Sequence, residues 1–147
     1  MIFQREYLKD CLDEARPLLF EHWKEISHYP DIPLDPDEER YYNFEKGGVL
    51  RVYTARDEGK IFGYAVFIVN TNAHYKTSLQ AMQDIIFIHP ERRGMGGRFI
   101  LWCDEQLKAE GVQIVFHHIK AKHNFGAMLE RFGYELIDLI YGKRLDG

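Results

Sequence analysis

The stretch 84-DIIFIHPERRGMGGRFILWCDEQLK-108 decides how the rest of the chain is read. It opens with an apolar run, Ile85–Ile88. Three glycines then crowd between Arg92-Arg93 and Arg98, and apolar residues follow at helical spacing. Strand, glycine loop, helix is the arrangement that turns backbone N–H groups and the positive end of a helix toward an anion. Arg93 and Arg98 flank the turn and can add charge-assisted bonds. The same composition also fits a plain helix-initiating loop with solvated arginines.

Two familiar nucleotide loops fail here. A Walker A loop needs Gly-Lys-Ser/Thr five residues after its first glycine, and Phe99 stands five after Gly94. The dinucleotide fingerprint could start at Gly94 and Gly96, but its third glycine would again fall on Phe99, too large for close helix–strand packing.

Around the loop the chain reads as one α/β domain over residues 1–147, with 46% hydrophobic residues and a net charge of −4. That charge, with no block of Lys and Arg, makes nucleic acid an unlikely partner. No apolar run has membrane length, and the N-terminus has no signal-peptide pattern, so a cytoplasmic protein without membrane contact is expected. Cys11 and Cys103 have no partners at metal or disulfide spacing and read as small core residues.

The expected elements follow from periodicity. "MIFQRE" is a short strand. Leu8, Cys11, Leu12, Ala15, Leu18, Leu19 and Trp23 recur at helical spacing, with a break expected near Arg16 because Pro17 follows. Asp35-Pro36 reads as a helix start and Gly47-Gly48 as its end. Strands are expected at "VLRVYTARD", "IFGYAVFIVN" and "MQDIIFI", with "KTSL" as the turn before the last of these. A helix from about Gly96 to Glu110 comes next. "VQIVFHHI" reads as a buried central strand, "HNFGAMLERFGY" holds a short helix, and "ELIDLIYGKRL" is a closing strand. The fold class is mixed α/β with a largely antiparallel central sheet and flanking helices.

The loop with Pro90 and Arg93-Gly94-Met95-Gly96, in this element order, resembles the acetyl-CoA-binding core of the GNAT superfamily of N-acetyltransferases, small phage and bacterial members in particular. The resemblance spans most of the chain. It implies a bulge at the end of "DIIFI" that splays this strand from "VQIVFHH". It also implies acetyl-CoA as cosubstrate, with the pantetheine arm in the cleft against the backbone of Phe87 and Ile88. The N–H groups of Arg93, Gly94, Met95, Gly96, Gly97 and Arg98 would then hold the pyrophosphate, and Asn124 would contact the arm or serve only as a helix cap. No metal is implied. Two departures stand out. Arg98 replaces a small residue of the family pattern, and Leu129 occupies the place where many members carry a tyrosine that protonates the leaving thiolate.

For the chemistry, Asp84 is the candidate base, a carboxylate in an apolar strand on the face expected to carry Ile86 and Ile88. His74 and Tyr75 are expected near it across the hairpin, Tyr75 as a replacement acid. Glu21 and His22 are candidates for the acceptor wall. The reading that follows is acetyl transfer from acetyl-CoA to a primary amine of a small molecule or protein, in a ternary complex. The alternative is a CoA-binding protein without catalysis that works through a protein partner. A toxin-like enzyme acting on aminoacyl-tRNA fits the acidic balance less well. The terminal segment could also offer an edge strand for a homodimer.

Overall fold

The computed structural model describes all residues, Met1–Gly147. Five strands form one sheet in the order β1-β2-β3-β4-β5: Ile2–Glu6, Leu50–Asp57, Lys60–Asn72, Tyr75–Ile88 and Ile114–Phe116. The first four are antiparallel, and β5 runs parallel to β4. The β2–β3 turn is tight because Glu58 and Gly59 take φ of 50° and 83°, the left-handed pair that matches strand twist.

Helices α1 (Leu8–Ile26) and α2 (Glu38–Lys46) cover one face. Helix α3 (Gly96–Ala109) and the short α4 (Gly126–Arg131) lie on the other. Alternation along the strands divides the core accordingly. Val52, Val66 and Ile61 pack with Leu8 and Cys11 of α1. Tyr53, Ala65, Phe67 and Ala81 pack with Phe99, Cys103 and Leu107 of α3. Both cysteines are buried and unpaired.

Four elements differ from their sequence expectation. Helix α1 runs unbroken through Pro17. Pro17 lies on the exposed side, and Cys11 and His22 are buried on either side of it, so packing outweighs one lost hydrogen bond. Helix α2 starts two residues later than Asp35-Pro36 indicates, because the Asp37 side chain accepts from the Arg40 N–H at 3.1 Å and caps the first turn. The β3–β4 turn sits at Ala73-His74, leaving "KTSL" inside β4.

The fourth difference is at the far edge. The closing strand "ELIDLIYGKRL" does not form. Residues 135–147 make no backbone–backbone hydrogen bond, and Leu136, Leu139 and Tyr141 are exposed. Side chains hold the segment instead. The Arg144 guanidinium donates to both oxygens of Asp31 at 3.0 Å and stands over the Tyr29 ring. This ties the chain to the loop after α1, with Ile140 lining the same cleft as Met82 and His118. The "VQIVFHHI" run is therefore a three-residue edge strand rather than a buried central one, with Ile114 exposed.

Candidate active site

The site grows from an irregularity in β4. Val66 pairs with Ile85 and Phe67 with Gln83, so Asp84 is the extra residue of a β-bulge. The bulge lies four residues before the expected end of "DIIFI". It also shifts the alternation. Ile85 and Phe87 face the α1 side, Ile85 packing with the α1 cluster and Phe87 stacking on His22, whereas Ile86 and Ile88 pack with the α3 cluster. Asp84 thus shares a face with Ile85 rather than with Ile86 and Ile88, because the inserted residue resets the period of two.

Asp84 is solvent-exposed, on an open cavity wall rather than in packed apolar surroundings. The Tyr41 hydroxyl of α2 donates to its Oδ2 at 2.5 Å, and burial with this bond raises the phenol's pKa well above its ordinary value. Asp84 Oδ1 makes no hydrogen bond within the chain.

Past Met82, β5 no longer follows β4, and the two chains separate. The His89 N–H donates to Phe62 O at 2.7 Å, which makes 62/89 a hydrogen-bonded pair. By the antiparallel register, Phe87 and Ile85 spend their backbone groups on β3, while those of Ile86 and Ile88 point away from it into the opening. Of the expected Phe87–Ile88 pair, Phe87 is therefore already committed, and Ile88 has its N–H open while its C=O accepts from Arg93 Nε. The opening is a cleft of about 350 Å³ lined by His22, Gln83, Asp84, Ile86, His118 and Phe125, among others.

His22 is buried, with Nδ1 3.0 Å from the Tyr64 hydroxyl and its ring stacked on Phe87. Burial pushes its pKa down to about 4, so it is neutral near pH 7. Its neighbour Glu21 projects away, toward His89 at 3.5 Å, so helical geometry separates the "EHW" side chains.

At the end of β4 the chain makes a 3-10 turn, Pro90–Met95, and enters α3. Arg92 is a structural arginine, bonded to Asp57 at 3.2 Å and stacked over Phe62. Arg93 donates through Nε to Ile88 O at 3.0 Å and pairs with Glu25 of α1. Arg98 is exposed in the first turn of α3 and has no acidic partner. A lone cation at the positive end of a helix is electrostatically unfavourable unless an anion joins it. A Cβ added to Gly94 or Gly96 would meet nothing within 4 Å, so both backbones face open space. Gly97 differs. A Cβ there would lie 3.1 Å from Phe132 Cζ and 3.4 Å from Met128 Sδ, so this glycine lets α3 lie against α4. Met95 supplies no side-chain cap to α3. The loop thus offers open space over Gly94 and Gly96 and a free arginine beside the helix start, while the Gly96 N–H already donates to Arg93 O within the 3-10 turn.

Asn124 Oδ1 accepts from the Gly126 N–H at 2.8 Å, a local turn just before the Phe125 N-cap of α4. Leu129 is buried in α4 and carries no polar function. His74 and Tyr75 form the exposed β3–β4 turn. Nine residues of extended strand separate Tyr75 from Asp84, roughly 30 Å. The structure does not bring this pair to the cleft, because the turn lies earlier than expected.

Residue spacing gave no sign of Tyr41 as Asp84's partner, or of a second, larger cavity of about 710 Å³ between α1, α2, the 27–37 loop and the sheet. Ile26, Asp84, Ile85 and Lys120 line both cavities, so the two meet at the bulge.

No family model matches the sequence, and no curated protein matches it. Solved structures do. A ribosomal-protein-alanine N-acetyltransferase from Brucella melitensis biovar Abortus 2308 superposes with a TM-score of 0.71 at 17% identity, covering 99% of this chain and 100% of its own. A predicted acetyltransferase with acetyl-CoA from Clostridium acetobutylicum gives 0.70 at 14% identity, covering 98% and 96%. An aminoglycoside acetyltransferase from an uncultured soil metagenomic sample, in complex with sisomicin, gives 0.68 at 17%, covering 97% and 96%. With its five-stranded mixed sheet, splayed cleft and flanking helices, the chain has the fold of the GNAT acetyltransferases.

Proposed function

We propose that the protein is an N-acetyltransferase that moves the acetyl group of acetyl-CoA to a primary amine by direct attack in a ternary complex. The observation that carries this reading is the meeting of two cavities at a bulged carboxylate. One is a cleft lined by Met82–Ile86 of β4 and by His118 and Lys120 beyond β5, and the other is the larger chamber under α1 and α2.

In this reading Arg98 and the N-terminus of α3 hold the pyrophosphate in the open space over Gly94 and Gly96. The open backbone groups of Ile86 and the Ile88 N–H take the pantetheine arm as an added strand. Arg93 exchanges Glu25 for phosphate. Asp84 Oδ1 accepts a proton from the attacking amine, while Tyr41 fixes the carboxylate's orientation. The Ile86 N–H, facing the cleft, is placed to bond the oxyanion of the tetrahedral intermediate. Neutral His22 has one ring nitrogen engaged by Tyr64 and can steady the departing thiolate by a hydrogen bond from the other, which Leu129 cannot do, and the thiolate is protonated by the proton that Asp84 took from the amine.

Calorimetry with CoA tests the cofactor half. Binding is expected, and Arg93→Glu should weaken it by at least tenfold through charge reversal. Absence of binding by the unmodified protein would end this reading. Thiol release with an amine panel tests the transfer half. CoA binding without any acceptor-dependent release would instead favour the non-catalytic alternative, which the apolar Leu129 keeps in view.

A further inference from the structure

The larger cavity has a composition that selects among amines. About 710 Å³ is within the range of small-molecule sites, roughly 300–1,000 Å³. Its walls include Leu12, Leu19, Trp23, Phe44, Tyr64 and Val66. Such a surface rewards an apolar body and penalises any polar group it leaves unpaired.

The carboxylates around it are mostly committed. Both oxygens of Glu38 accept from Arg16 at 2.9 Å. Asp37 caps α2 and pairs with Arg40 at 3.5 Å. That leaves Asp35, on the exposed 27–37 loop, and Asp84, at the junction with the acyl cleft. Asp84 alone lies where the two cavities meet, and one of its oxygens is already taken by Tyr41. The junction can therefore accept one amino group. Lys120 lines the same junction. Its charge opposes a second ammonium nearby and favours the uncharged, nucleophilic form of the first.

We propose that the acceptor is a single primary amine carried on an apolar body of aromatic size, and that the chamber discriminates against polycations. This rests on the acetyltransferase reading for its turnover but not for its binding. A polycationic acceptor would have to bring several ammonium groups against aliphatic and aromatic walls with no free carboxylate between Asp35 and Asp84 to receive them. The sisomicin-bound relative shares the fold only, and a fold does not carry its acceptor.

The test uses tryptamine and 2-phenylethylamine against spermidine and sisomicin, in two assays. Calorimetry titrates each amine into the full-length protein with and without CoA. Thiol release then measures kcat/KM at saturating acetyl-CoA. The aromatic monoamines are expected to bind and to be preferred at least 100-fold in kcat/KM. Leu34→Trp, a loop substitution that fills the chamber, should weaken tryptamine binding about tenfold or more and leave CoA binding unchanged. Failure of tryptamine to bind, or equal or better turnover of spermidine or sisomicin, overturns the proposal while leaving acetyl transfer intact. Tryptamine binding in a protein that never binds CoA overturns the acetyltransferase reading and leaves the amine chamber standing.

Discussion

Asp84 was visible in the sequence as a carboxylate inside an apolar strand, and the structure keeps it at the candidate site. What the sequence could not show is its environment. A bulge is a one-residue slip that leaves no compositional mark, and its partner Tyr41 lies 43 positions away on another element. Asp84→Asn is expected to lower kcat by roughly 10²–10⁴-fold, the usual contribution of a general base, with CoA affinity kept. Tyr41→Phe leaves the carboxylate in place but unanchored. A loss of about tenfold in kcat, without the Asp84→Asn collapse, is the expected result in the same assay. Full activity in either variant would remove that residue from the mechanism. His74 and Tyr75 show the opposite error. Their chemistry suited the reaction, but a turn displaced by a few residues moved them the length of a strand.

At the scale of the element, the strand–loop–helix turn was legible from composition, because glycines at a helix start are a local property, but composition fitted an anion site and a plain helix entry equally. The division of labour among its glycines was not legible, because it depends on α4. Gly96→Ala meets empty space and removes backbone freedom, so melting temperature should hold or rise slightly while CoA affinity falls. Gly97→Ala forces Phe132 to move, and a loss of about 1–3 kcal/mol in denaturant unfolding is expected, as for other overpacked contacts. If both variants behave alike, the loop has one function rather than two. The closing segment misled for a related reason. "LIDLIY" is as apolar as a strand should be, but a strand needs a ladder, and this segment forms none. Its amides should exchange with solvent at near-intrinsic rates in hydrogen-exchange measurements. Protection that grows with protein concentration would show a second copy supplying the missing partner.

For the whole molecule, the order of elements carried the fold, since strand spacing and turn residues are set by local pattern. The two cavities were not legible, because they are made by surfaces that meet only after packing. Their formation leaves a mark on stability. His22 and His117 are both buried, and burial holds each pKa down to about 4 against an ordinary value of 6.5. Unfolding lets both rise, so between pH 6.5 and 4 the unfolded chain binds more protons than the folded one. Their contribution is complete above pH 6.5 and is lost as pH falls toward 4. Thermal unfolding followed from pH 7 to pH 4 should show this decline, and His22→Gln and His117→Gln should each flatten it. An unchanged slope in both variants would mean that these rings are solvated in solution.

The shared wall at Asp84 and Lys120 has a practical consequence for ligand design. On the proposed reading, the wall of Ile26, Asp84, Ile85 and Lys120 that the two cavities share lies between thioester and amine, so a molecule that spans it would occupy both. A conjugate linking the sulfur of CoA to an aromatic amine through a two-carbon bridge would tether the second group at high effective concentration once the first has docked. Its affinity should exceed that of either half by orders of magnitude, and competition against each half separately would measure how wide the passage at the bulge is.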